Sequence, residues 1–138
     1  MSAEKKNASA VTGSCLCGGV AFSAQRFDGP VVACHCTQCR KTSGHFVAAT
    51  RAKRAHIKFS RDETLTWFRS SAEAERGFCN QCGGNLFWRR IDSENMSIMA
   101  GTLDAPTGLH LTRHIYVVDK GDYYDIEDGF EIFEGSDE

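Results

Sequence analysis

Seven cysteines stand in three tight clusters in this chain of 138 residues, and no other feature constrains its fold so strongly. The clusters read Cys15-Leu16-Cys17, Cys34-His35-Cys36-Thr37-Gln38-Cys39 and Cys79-Asn80-Gln81-Cys82. A disulfide framework usually has an even number of cysteines and belongs to secreted chains. Residues 1–12 contain no apolar segment like that of a secretion signal, and no apolar run is long enough to span a membrane. The sequence therefore predicts a cytoplasmic protein whose cysteines bind metal.

The composition predicts one globular domain. Hydrophobic residues make up 41% of the chain and charged residues 25%, which is ordinary for a folded protein. The net charge of −2 lacks the basic excess of a nucleic-acid binder. We expect a flexible N-terminus at residues 1–12, a single zinc domain at residues 13–134 and a frayed acidic tail at residues 135–138.

Short alternating runs predict a mainly β fold. The apolar positions of these runs are Val20-Phe22-Ala24, Phe46-Ala48-Thr50, Ile57-Phe59, Leu65-Trp67, Leu86-Trp88, Met96-Ile98 and Ile115-Val117. Alternation with a period of two is typical of strands, and the 13 glycines supply turns between them. One short helix is predicted after the second cysteine cluster, from Thr37 as its N-cap to Gly44 at its C-terminal end.

The first and third clusters together predict a closed zinc site. Cys15 and Cys17 are two residues apart, so in a strand both sulfurs would point to one face. Cys79 and Cys82 are followed by two glycines, which allow the backbone to turn around a metal. Four thiolates leave no vacant position on zinc, so we expect this site to stabilise the fold and to perform no chemistry.

The second cluster predicts an open zinc site. Cys34, Cys36 and Cys39 can converge on one ion, and three protein ligands with one free position are typical of a catalytic zinc. His45 is the nearest candidate for a fourth ligand, although a lone histidine in a loop is more often hydrogen-bonded or solvated. His35 alternates with the cysteines and should point away from them. The remaining histidines, His56, His110 and His114, have no ligand spacing.

Three thiolates around Zn²⁺ give the unit a net charge of −1, which makes it a weak Lewis acid with a preference for soft ligands. A substrate thiol at the free position would lose its proton and stay nucleophilic. The ligand set therefore suggests that the site activates a thiol for attack on a small electrophile such as an aldehyde, and that it does not activate water.

Three motifs resemble those of the glutathione-dependent formaldehyde-activating family, which includes centromere protein V. They are G-S-C-L-C-G-G at 13–19, A-C-H-C-T-Q-C-R-K at 33–41 and F-C-N-Q-C-G-G at 78–84. The resemblance implies a β-tent of small antiparallel sheets held together by zinc, and two zinc ions per chain. A structural ion would bind the four cysteines of the first and third clusters, and a second ion the cysteine triplet.

The resemblance also implies an activity, the condensation of formaldehyde with glutathione to S-(hydroxymethyl)glutathione by a carbon–sulfur lyase. The partners would then be a small-molecule thiol and an aldehyde, with no nucleic acid and no membrane. The alternative is a non-catalytic zinc-binding interaction module with two structural zinc ions, as the centromere relative implies. A thiol redox protein fits less well, because the first pair is C-x-C and metal binding uses every cysteine.

Two groups of residues leave alternatives open. The segment from Arg40 to Arg61 contains seven basic residues and no acidic one. These basic residues either bind the carboxylates of an anionic thiol or form a solvated strand face. Four aromatic residues at strand spacing either wall a pocket or pack in the core. These are Trp67, Phe68, Phe87 and Trp88.

Overall fold

The structure is a computed structural model that describes residues 9–137; residues 1–8 and Glu138, which fall in the two predicted terminal segments, lie outside it. The strands are β1 (Val11–Ser14), β2 (Ala21–Ala24), β3 (Val31–Cys34), β4 (Val47–Lys53), β5 (Ile57–Arg61), β6 (Leu65–Arg69), β7 (Ala74–Cys79), β8 (Asn85–Arg90), β9 (Asn95–Met99), β10 (Leu111–Ile115) and β11 (Glu131–Ile132). The helix α1 spans Thr37–Ser43, and short 3₁₀ turns occupy Arg54–His56, Ala100–Thr102 and Val117–Asp119.

These strands form two sheets. The smaller sheet has the antiparallel order β1-β2-β5, and the larger has eight strands in the order β11-β10-β3-β4-β9-β8-β7-β6. In the larger sheet β10 runs parallel to both β3 and β11, whereas the other neighbours are antiparallel. The predicted fold class is confirmed: the chain is mainly β, with a short helix directly after the cysteine triplet.

The main core lies between the two sheets. Phe22 of β2 contacts Phe87 of β8 edge to face, with ring centroids 5.1 Å apart, and both side chains are almost fully buried. Ile98 of β9 is buried in the same cluster. Burial of one such side chain contributes about 1.5–3 kcal/mol, so these contacts hold the smaller sheet against the larger one.

The helix begins one residue earlier than the sequence predicted. Cys36, and not Thr37, is the N-cap, because its Sγ accepts a hydrogen bond from the Cys39 backbone N–H at 3.3 Å. At the other end Gly44 has φ +87°, and its N–H donates to the Arg40 carbonyl at 2.8 Å. The predicted role of Gly44 as the terminating glycine is therefore confirmed.

Backbone pairing extends into both predicted terminal segments. β1 begins at Val11, and near the other end the Tyr116 N–H donates to the Gly135 carbonyl at 2.9 Å. Arg113 of β10 also pairs with Asp137 at 3.1 Å. The division into three segments stays a prediction. Within residues 9–137, no helix combines the length and apolar character needed to cross a membrane.

Candidate metal centres

The first and third cysteine clusters meet where the two sheets come together. Cys15 and Cys17 lie in the turn after β1, while Cys79 ends β7 and Cys82 lies in the turn before β8. The four Sγ atoms all lie within 4.8 Å of one another. The expectation that Cys15 and Cys17 share a strand face is wrong, because β1 ends at Ser14. Instead, the chain makes a tight turn at Gly18, with φ +78°, and this turn brings the two sulfurs close together.

The spacing of these sulfurs fits zinc. Cys17 Sγ lies 3.7 Å from Cys15 Sγ and 3.6 Å from Cys79 Sγ. Zinc–sulfur bonds of about 2.3 Å in a tetrahedron place the sulfurs about 3.8 Å apart. The cluster can therefore hold a metal ion with little rearrangement.

Hydrogen-bond donors surround these sulfurs. Backbone N–H groups of Val20, Gly19 and Gln81 point at the sulfurs of Cys15, Cys17 and Cys79 respectively, at 3.3–3.4 Å. The Thr64 hydroxyl lies 3.2 Å from Cys79 Sγ and lowers the pKa of that thiol to about 6. Such donors favour the thiolate, which is the form that binds metal.

The triplet forms a second cluster at the carboxyl end of β3, an interior strand of the larger sheet. Cys34 is the last residue of β3, Cys36 caps α1 and Cys39 lies in its first turn. Their Sγ atoms lie within 4.8 Å of one another, so this cluster can also hold a metal ion. The contact with Cys34 lowers the pKa of Cys36 to about 2, and the same contact raises the pKa of Cys34. The convergence expected from the spacing is thus present.

The histidines do not complete this cluster. His45 is not part of the triplet's group of ligand atoms, and its Nδ1 lies 2.6 Å from the Tyr123 hydroxyl. His35 is fully buried away from the triplet, where its Nε2 lies 2.9 Å from His114 Nδ1. Among residues 9–137, the cluster therefore offers three possible metal ligands and no fourth.

Behind the triplet, the two buried histidines belong to a continuous polar network. His114 Nε2 lies 2.7 Å from Asp128 Oδ2, and His35 Nδ1 contacts the Tyr124 hydroxyl. Burial, together with the nearby His114, lowers the pKa of His35 to about 4, so His35 is neutral at neutral pH. One consistent arrangement has Tyr124 donating to His35, His35 to His114 and His114 to the carboxylate. The network attaches the segment after β10 to β3.

A cavity of about 950 Å³ opens in front of the triplet, over one face of the larger sheet. All three triplet cysteines line it, and none of the other four does. A row of paired residues crosses its floor from β7 to β4. The row consists of Arg76, Trp88, Ser97 and Arg51.

Arg76 is the cation nearest to the triplet sulfurs, and the sequence analysis did not find it. It is only 5% exposed. Its Nη2 donates to Gln38 Oε1 at 3.4 Å and to Cys39 Sγ at 3.8 Å, while its Nε is buried without a partner. The sequence offered one signal, because Ala74 and Arg76 are two residues apart and would face the same side of a strand. Glu75 and Gly77 interrupt the alternation of apolar and polar residues, so the segment did not have the pattern of a strand.

The basic stretch from Arg40 to Arg61 contributes little to this cavity. Only Arg51 of that stretch lines it, and Arg51 is paired with Asp28 at 3.1 Å. Of the four aromatic residues, Trp88 lines the cavity and Phe87 is in the core. Trp67 packs against that core, whereas Phe68 is 57% exposed. The basic residues that line the cavity therefore come from several strands and not mainly from the stretch between Arg40 and Arg61.

The fold and the two cysteine clusters define a class of small, mainly β proteins whose cysteines are grouped so that they can hold metal ions. The sequence profile described as glutathione-dependent formaldehyde-activating enzyme matches residues 10–119. The chain belongs to this family.

Two individual proteins are also similar. A Schizosaccharomyces pombe protein described as an uncharacterized lyase is 28% identical over 123 residues, which cover 88% of each chain. A crystal structure of a Rhodobacter sphaeroides protein, solved as a structural genomics target, has a TM-score of 0.60 and 23% identity. The match covers 73% of this chain and 99% of that one, and it supports the fold alone.

Proposed function

We propose that this protein is a zinc-dependent enzyme of the carbon–sulfur lyase type that joins a thiol, glutathione or a similar molecule, reversibly to formaldehyde or another small aldehyde. The observation that carries the proposal is the triplet of Cys34, Cys36 and Cys39, which converges on the wall of a large cavity with no fourth ligand from the part of the chain that the structure describes. A closed structural site needs no such space. Family membership and the lyase description of the yeast relative support the same reaction type.

The donor sets of both clusters fit zinc. Cys15, Cys17, Cys79 and Cys82 would hold the structural ion, and the triplet would hold the second. All seven cysteines are free of disulfides, as metal binding in a reducing compartment such as the cytoplasm requires. When bound at the triplet, zinc supplies a position at which a substrate sulfur is held as a thiolate.

The chain's own residues bind and enclose the substrates. The cavity has room for a thiol of tripeptide size, and Trp88 and Met99 give its floor an apolar surface. In the forward reaction, the thiolate sulfur adds to the carbonyl carbon of the aldehyde. The carbon–sulfur bond forms, the carbonyl π-bond breaks, and the resulting alkoxide oxygen takes a proton from water. The hydroxide left behind is neutralised by the proton that the thiol released on ionisation, so there is no net change in protons. Arg76 provides positive charge beside the reacting atoms.

Exchange spectroscopy with labelled formaldehyde and glutathione tests this proposal. The rate of adduct formation should rise above the rate in buffer in proportion to the protein concentration, and Cys36→Ser should lower that gain by at least about tenfold. A protein that gives no gain with glutathione contradicts the glutathione version. The same measurement with cysteine and 2-mercaptoethanol then tests other thiols, and no gain with any thiol contradicts the enzyme proposal itself.

A further inference from the structure

Arg76 is a buried cation that pairs with no carboxylate in the described part of the chain. Four other arginines form ion pairs with acidic side chains: Arg51 with Asp28, Arg89 with Glu75, Arg90 with Asp92 and Arg113 with Asp137. Arg76 is more buried than any of these four, yet among residues 9–137 it forms no ion pair with an Asp or Glu. Its Nη2 makes only two long contacts, to Gln38 Oε1 and Cys39 Sγ.

A buried charge is costly unless an opposite charge lies close to it. Of the two groups that the hydrogen bonds of Arg76 reach, the Gln38 amide is neutral, so the negative charge can come only from the sulfur of Cys39, a member of the triplet. Three thiolates and one Zn²⁺ carry a net charge of −1, and the guanidinium brings the assembly to zero. Without Arg76, a further thiolate would have to join a unit that is already negative, in a cavity partly screened from water.

We propose that Arg76 is the counter-charge that allows the triplet site to accept its substrate as an anion, a small thiolate. This proposal rests on the proposed thiol-activating function. It adds that Arg76 is the residue that favours binding of the substrate as a thiolate over binding as a neutral thiol. Because Arg76 is proposed to act on the thiolate sulfur, it should raise the affinity for a thiol without a carboxylate as much as the affinity for glutathione. Close to the sulfur, a unit charge at an intermediate dielectric changes affinity by one to two powers of ten, so the predicted loss is about tenfold or more.

The test uses full-length protein loaded with Co²⁺ in place of zinc, because a sulfur that joins Co²⁺ produces a charge-transfer absorption. Titration with 2-mercaptoethanol, which is uncharged apart from its thiol, gives the dissociation constant directly. We expect Arg76→Gln to weaken binding about tenfold or more, and Arg76→Lys, which keeps the charge, to retain most of the affinity. Metal content should stay at two ions per chain in both variants.

Arg89→Gln is the matched control. Arg89 follows Trp88 on β8 and lies opposite Glu75, so its side chain is on the other face of the sheet from Arg76. This variant should bind 2-mercaptoethanol like the unaltered protein. Equal affinity in Arg76→Gln and the unaltered protein overturns the proposal, as does a loss of the second metal ion in Arg76→Gln.

Titration with glutathione, which carries carboxylates, distinguishes the counter-charge role of Arg76 from a role in binding a substrate carboxylate. If Arg76→Gln weakens glutathione but leaves 2-mercaptoethanol unchanged, then Arg76 binds a substrate carboxylate and the counter-charge proposal is wrong. If the unaltered Co²⁺ protein binds neither thiol, the proposed function itself fails.

A further measurement needs no variant. The unaltered Co²⁺ protein should change its spectrum at lower concentrations of azide, a small anion, than of imidazole, a neutral ligand. The reverse order contradicts a site that favours anions.

Discussion

At the scale of single residues, the seven cysteines share one side-chain chemistry and differ in what surrounds them. The sulfurs of Cys15, Cys17 and Cys79 accept backbone N–H groups and have a fourth thiol close by. The triplet has a cavity in the corresponding place. Sequence spacing was enough to divide the cysteines four and three, because the triplet is a local cluster and two well-separated pairs remain to form the other. It did not reveal Arg76, whose nearness to Cys39 depends on the order of strands in the sheet.

A pair of serine variants tests this division. Cys79→Ser removes a ligand of the proposed structural zinc, whose binding contributes about 10–16 kcal/mol to folding and so exceeds the net stability of most domains. We expect this variant to be unfolded by circular dichroism. Cys36→Ser should stay folded and bind one zinc ion, as measured by mass spectrometry under native conditions.

The contrary result has a definite meaning. If Cys36→Ser unfolds as completely as Cys79→Ser, the triplet is a structural site. The interaction module with two structural zinc ions would then replace the enzyme.

At the scale of elements, the predictions succeeded where alternation is uninterrupted and failed where it is broken. Strands β8 and β9 match their predicted apolar runs, and α1 matches the predicted helix to within a residue at its start. β7 was missed because Glu75, Arg76 and Gly77 interrupt its pattern. β10 ends at Ile115, and Val117, predicted as strand, begins a 3₁₀ turn after Tyr116 adopts φ +56°.

The histidine network between β3 and β10 gives an element-scale prediction. His114→Leu leaves the buried Nε2 of His35 without its partner, and an unsatisfied buried donor costs about 1–3 kcal/mol. We expect the free energy of unfolding in urea to fall by that amount. The same change at exposed His110 is the control and should alter stability by less than about 0.5 kcal/mol. Equal urea midpoints for the two variants would show that the network adds no stability.

At the scale of the whole molecule, the four-cysteine cluster joins the two sheets. Cys15 and Cys17 follow a strand of the smaller sheet, whereas Cys79 ends a strand of the larger sheet and Cys82 lies in the turn after it. The triplet, in contrast, lies within the larger sheet and its adjoining helix. The cysteine spacing predicted that these four residues meet, but it did not predict that they lie on two different sheets, because sheet membership follows from long-range strand pairing that local sequence patterns do not encode.

Stepwise removal of zinc tests this arrangement. A chelator reaches the triplet through the cavity and competes with three ligands there, so the first ion should leave with both sheets intact. Loss of the second ion should expose the amides of β1, β2 and β5 to hydrogen exchange before those of β8 and β9. A chelator that removes both ions together, with uniform loss of protection, contradicts separate roles for the two sites.

The distance along the chain between the cysteines that meet in the four-cysteine cluster has a consequence for biosynthesis. Cys17 and Cys79 are 62 residues apart, and ribosomes release the amino-terminal part of a chain first. Cys15 and Cys17 therefore emerge long before their partners and stay reactive thiols in the nascent chain. The zinc ion proposed for this cluster would meet all four ligands only after Cys82 has left the ribosome, so we expect the timing of the zinc supply, as well as its amount, to affect the yield of folded protein.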